Sequence, residues 1–149
     1  MDSGEDFYLQ VSYALSGCQL VEQRLKLYIS EALELARKCI GQRMTFKMSG
    51  EDYEDASLER LINVFRQLTD NETLLLELSR FKTERNYLSH KGIARCLDLT
   101  GELSETAAAE FKMRLQRMQT EAQRLEGAIN EEASKYRGHL YFGEFPREG

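Results

Sequence analysis

One short string places an arginine and a histidine close together in this chain: Arg85-Asn86-Tyr87-Leu88-Ser89-His90. Arginine is always charged, and its planar fork grips a phosphate or carboxylate through two N–H groups at once. Histidine is the side chain that gives and takes a proton near neutral pH. Together they can hold an anion and move a proton beside it. The neighbouring residues strengthen the anion half of that reading. Between positions 80 and 95, Arg80, Lys82, Arg85, Lys91 and Arg95 meet a single acid, Glu84, so these 16 residues sum to +4 while the other 133 sum to −9. An anionic ligand is expected here, phosphate being the commonest such group, with Arg80, Lys82, Lys91 and Arg95 as its further contacts.

The remaining reactive residue types offer less. His139 has no arginine or acid at a matching spacing and reads as structural or surface. Cys18, Cys39 and Cys96 are odd in number and form no C-x-x-C pair, so neither a disulfide framework nor a zinc site is indicated. The acidic stretch Glu51 to Asp55 lacks the alternating ligands and distal glutamate of a calcium loop and reads as solvated. No metal and no other cofactor is expected.

Composition bounds the scaffold that must carry the string. A length of 149 residues, 42% apolar and 30% charged, fits one soluble domain with a hydrophobic core. One proline argues against a turn-rich β fold and for long helices. The net charge of −5 argues against an extended nucleic-acid surface and leaves room for one small basic site. No apolar run approaches about 18 residues, and Met1 to Asp6 is acidic where a signal peptide is basic, so a cytoplasmic chain without a membrane segment is expected.

Periodicity then supplies the elements. Phe7, Val11, Ala14, Cys18, Val21, Leu25, Tyr28, Ala32, Leu35 and Cys39 alternate steps of four and three, the seam of one long helix packed nearly antiparallel to its neighbours, with Cys18 and Cys39 in the core. Residues 41–55 read as a loop. Leu58, Leu61, Phe65 and Leu68 make a short second helix, ended by Thr69, Asp70 and Asn71. The third helix carries Leu74, Leu78, Phe81 and Leu88, its stripe completed by Arg85, and is expected to end at Gly92. Ser104 and Glu105 open a final helix on Ala108, Phe111, Leu115, Met118, Ala122, Leu125 and Ile129, running to about Tyr136. The tail 137–149 is aromatic and aperiodic, and is expected to pack over an end of the bundle. The sum is an all-α fold, an up-and-down four-helix bundle with a long first and last helix in one domain with its core over about 7–136.

Chance placement puts R-N-x-x-x-H in roughly 0.5% of chains of this composition and the looser R-x-x-x-x-H in roughly 17%, so the asparagine carries much of the signal. In its setting, late in the third helix of a small acidic bundle and after Leu74-Leu75-Leu76-Glu77-Leu78-Ser79-Arg80-Phe81, the string resembles the signature of the HEPN superfamily. The resemblance spans the bundle plan, with only the six-residue motif specific. It implies a metal-independent endoribonuclease, often a toxin of a toxin-antitoxin or phage-defence system, acting on RNA as a homodimer whose motifs meet in one cleft, with a possible antitoxin partner. It assigns Arg85 and His90 as catalytic and Asn86 as supportive. Many toxin members carry a tyrosine two residues after the histidine, a target for a partner nucleotidyltransferase. This chain has Gly92 there, so that route of neutralisation is not implied.

The chemistry and the geometry set their own terms. Cutting RNA without a metal takes a base for the 2′-OH, an acid for the leaving 5′-oxygen and a cation for the phosphorane. One histidine cannot readily serve both sides of one phosphorus, whereas a two-fold dimer brings two histidines and two arginines. At about 100° per residue Asn86 and His90 share a helix face, while Arg85 and His90 point about 140° apart. Convergence therefore requires the helix to unwind near Gly92 or the two side chains to come from different subunits. A helix end near His90 would also bring the partial negative charge of its carbonyls to the imidazole. Two further readings stand beside the nuclease: a non-catalytic module binding a nucleotide, nucleic acid or protein partner, and an Arg85 simply buried against an acid of the first or last helix.

Overall fold

The apolar stripes form the elements that the periodicity predicts. The computed structural model describes the backbone of residues 3–97 and 105–146 and the side chains of residues 5–91 and 109–146. The helices are α1 (Ser3–Ile40), α2 (Leu58–Arg66), α3 (Glu72–Leu97) and α4 (Glu105–Phe142), with a 3-10 turn at Gly50–Tyr53. This is an all-α four-helix bundle whose first and last helices have 38 residues each, about 57 Å at 1.5 Å per residue. Among the described residues no helix is long and apolar enough to cross a membrane.

The stripes become one core. Val21, Leu25 and Ile29 of α1, Leu61 and Phe65 of α2, Leu78 of α3 and Leu125 of α4 are fully buried. Pairs of contacts fix the direction of each helix. Phe7 stacks on Phe111, Arg24 pairs with Glu126, Tyr28 meets Tyr136 and Glu31 meets Arg137, so α1 and α4 run parallel. Glu84 pairs with Arg114 and Glu77 with Arg124, so α3 runs against α4, and hence against α1. The seam of α1 suggests antiparallel neighbours, which holds for α3 and not for α4. The reason is length: α2, at 9 residues, is too short to span the bundle, so three long helices carry the alternation of direction and the first and third of them point the same way.

The ends show where local chemistry acts. Gly41 takes the left-handed conformation (φ 57°) that favours glycine after a helix, and its N–H bonds the Arg37 carbonyl at 3.0 Å. Gly50 lies so close to α1 that a Cβ there would sit 2.5 Å from the Ser30 side chain. Ser57 caps α2 through the Arg60 N–H, and the Asn71 side chain caps α3 through the Leu74 N–H. Two of the expected helix ends are longer in the structure. The third helix continues through Gly92 to Leu97, an interior glycine costing only about 1 kcal/mol. The last helix continues through Tyr136 to Phe142, because Ala133 and Leu140 extend its buried stripe. Only beyond Phe142 does the tail leave the helix, where Phe145 stands under the Lys38 ammonium and Pro146 reaches Gly41. Cys39, expected in the core, is exposed: Leu33 is the last residue of α1 to be buried, while Cys18 is inside.

Two carboxylates are buried as well. Glu31 accepts hydrogen bonds from Arg137 at 2.8 to 3.1 Å and from the Tyr141 hydroxyl at 3.2 Å, tying α1 to the last turns of α4. Glu132 accepts from Thr69 and Lys135, both at 2.9 Å, tying α4 to the turn before α3. Burial pushes the Glu132 carboxyl up, but the bonds from Lys135, Thr69 and Asn71 outweigh it and hold the group below its ordinary 4.5.

Two outcomes follow for chemical denaturation. Arg137→Met leaves Glu31 without its main partner and is expected to cost ~2 kcal/mol, the scale of hydrogen bonds to a charged group. A depressed carboxylate stabilises the fold above its ordinary value and loses that contribution as pH falls through 4.5 and below. Stability of the native chain should therefore decline over that interval, and Glu132→Gln, already uncharged, should show a shallower decline.

Candidate functional site

The motif sits where α3 is held from three sides. Lys82 pairs with Glu59 of α2 at 3.7 Å. Arg85 pairs with Glu22 of α1 at 3.6 Å. Glu84 takes two hydrogen bonds of 2.8 Å from Arg114 of α4, whose guanidinium lies 4.0 Å over the Tyr87 ring. Burial desolvates such pairs only in part, so each is worth little alone, but together they fix the rotation of α3 about its axis. Leu88, fully buried, completes the fixing.

With α3 unbroken through the motif, the five-residue spacing decides where the two principal residues go. Arg85 occupies the inner stripe, its side chain 35% exposed and facing Glu22, itself 19% exposed. Asn86 and His90 lie one turn apart on the solvent face, both exposed. Arg85 donates to the Asn86 side chain at 3.4 Å. Within one chain Arg85 and His90 are not brought together, since unwinding near Gly92 does not occur. The C-terminal end of α3, and with it the partial negative charge of its carbonyls, lies two turns beyond His90.

Arg85 is also the least satisfied of the ion-paired arginines. Its Nε is buried and has no hydrogen-bond partner among the described residues, and its Glu22 contact is longer than a hydrogen bond. Arg137, by contrast, bonds Glu31 through Nε and Nη2 and Asn130 through Nη1. An unpartnered buried polar atom costs about 1 to 3 kcal/mol. Beside this pair lies Cys18, which donates to the Met118 sulfur at 3.7 Å. Burial pushes its thiol up to about 12, against the opposing pull of Arg85.

The basic strip is not one patch. Arg80 and Lys82 are two residues apart, so they point about 200° apart around the helix. Lys82 faces α2, whereas Arg80 lines a groove of about 920 Å³ between α3 and α4. Lys91 is exposed, and the Arg95 side chain lies outside the described residues. Four residues that matter here escape a linear reading: Glu22, Arg114, Arg117 and Arg124. Glu22 is legible as the first charge after the uncharged run Phe7 to Val21, at the edge of the α1 seam. The arginines of α4 are legible as a face of steps three and seven, joined to Arg80 only by the antiparallel packing.

Comparison with protein-family models, with curated proteins and with solved structures finds no match. The site therefore rests on its own geometry. Its interior is checked by thiol labelling: in the native chain at neutral pH an alkylating reagent should modify Cys39 and spare Cys18, as read by peptide mass mapping. Equal labelling of the two would contradict the packing around Arg85.

Proposed function

We propose that this chain is a HEPN-type, metal-independent endoribonuclease whose site is completed by a second copy. The observation that carries this reading is the guanidinium of Arg85, kept on the inner stripe with weak partners and unused hydrogen-bonding capacity. A structural arginine resembles Arg137, with its donors spent; the terminal nitrogens of Arg85, on a side chain 35% exposed, meet Glu22 at 3.6 Å and Asn86 at 3.4 Å and are loosely enough held to turn to an arriving anion. His90, exposed one turn from Asn86, is free to face a partner's motif.

In the reaction the 2′-oxygen of RNA bonds to the adjacent phosphorus and the bond from phosphorus to the 5′-oxygen breaks. One imidazole takes the 2′-OH proton while the other protonates the departing oxygen, leaving a 2′,3′-cyclic phosphate and a 5′-hydroxyl. The two guanidinium groups neutralise the charge of the phosphorane. Asn86 orients the motif, and Lys91 and Arg95 extend the contact to the strand. The setting is a toxin-antitoxin or defence system in the cytoplasm, with a cognate antitoxin as the controlling partner. A second reading, a non-catalytic binding module, draws on the Arg85–Glu22 pair, which also fastens α3 to α1.

Incubation with mixed RNA in EDTA separates the two. Cleavage is expected, ending in 2′,3′-cyclic phosphates, and His90→Ala and Arg85→Ala should each slow it at least a hundredfold. No cleavage, or cleavage unchanged in both variants, removes the nuclease reading, and RNA binding without turnover selects the module.

A further inference from the structure

Eleven arginines have described side chains, and nine of them meet a carboxylate, an amide or carbonyl oxygen, or an aromatic ring. Arg80 and Arg117 alone meet none of these among the described residues. Both are exposed, and both line the same α3–α4 groove, one from each wall. The acids of that groove are committed elsewhere: Glu84 to Arg114 at one end, Glu77 and Glu121 to Arg124 at the other. Because α3 and α4 run antiparallel between those two bridges, positions 80 and 117 both fall in the stretch between them.

These two guanidinium groups pair with no acid among the described residues, and the groove's four arginines outnumber its three carboxylates, in a chain with 25 acids against 20 lysines and arginines. The floor between them is apolar, made by Phe81 and Met118, with the half-exposed Met113 also lining the groove. We propose that this groove is a binding site for a nucleoside phosphate, with Arg80 and Arg117 closing on the phosphoryl group and the flat ring lying on the floor. A phosphoryl group, with three terminal oxygens and up to two charges, answers two opposed forks with more acceptors and more charge than the two oxygens and single charge of a carboxylate. A thioether floor is polarisable and adapts to a planar ring. The phosphate is one chemistry with two sources, a free nucleotide or one link of a single RNA strand. The site does not depend on His90 and stands apart from the cleavage reading.

The test uses the full chain carrying His90→Ala, so that no probe is consumed, with inorganic phosphate, AMP and a labelled single-stranded RNA oligomer as probes. AMP should bind at least tenfold tighter than inorganic phosphate. Arg80→Ala and Arg117→Ala should each weaken AMP at least tenfold, and Arg60→Ala, whose guanidinium lies over Tyr53, should leave it unchanged. An oligomer that binds tighter than AMP and depends on both arginines identifies the strand as the source, and AMP binding tighter identifies the free nucleotide. Failure of every probe to bind, affinity indifferent to both arginines, or phosphate binding as tightly as AMP overturns the site. A chain that binds AMP this way yet cuts no RNA when His90 is intact loses only the nuclease reading, and one that cuts RNA with AMP binding indifferent to Arg80 and Arg117 loses only the groove.

Discussion

Helical pitch is the constraint on which the functional geometry depends. Five residues on a regular helix turn through about 500°, so Arg85 and His90 diverge by about 140° for as long as α3 stays helical, and it stays helical to Leu97. One partner then faces the bundle and the other faces solvent. No side-chain rotation repairs that within one chain. For the proposed nuclease, that divergence leaves each chain with half a site. In the proposed dimer, a second copy has a chemical role, supplying the histidine that this chain cannot bring to its own Arg85.

The rest of the bundle serves that arrangement by fixing α3. The parallel pair α1 and α4 provides the long frame, closed by Phe7 on Phe111 at one end and by the buried Glu31 with Arg137 at the other. Tyr28 stacks edgewise on both Phe65 and Tyr136, drawing α2 into the same frame. Into the remaining space α3 inserts Leu74, Leu78, Phe81 and Leu88, and ion pairs to each of the other three helices stop it from turning. Among the described residues, the face with Asn86 and His90 makes no such tie to another helix.

Much of this was readable from residue types and spacing. The stripes of Phe7 to Tyr28 and Phe111 to Ile129 are long enough that their period admits no other element, and Asn71 is a cap by type and position. What a linear reading misses is three-dimensional. Gly92 looks like a helix stop because glycine favours such ends, but the glycine that does so here is Gly41, where the backbone is left-handed. Cys39 continues the seam of α1 beyond the point where other helices cover it. The +4 segment is a property of a window: folding sends Lys82 to Glu59 and Arg80 to the α4 groove, and it sets Arg117, 37 positions away in sequence, opposite Arg80. Glu22 likewise meets Arg85 only because α1 and α3 run against each other.

A site shared between two chains has a signature that one self-contained site lacks. Cleavage rate per chain, measured over a dilution series alongside sedimentation of the same samples, should fall in step with the fraction of dimer and approach zero for the monomer. A rate per chain that stays constant into the range where the chain sediments as a monomer would contradict the shared site, because it would require Arg85 and His90 to act together across the 140° that α3 holds between them.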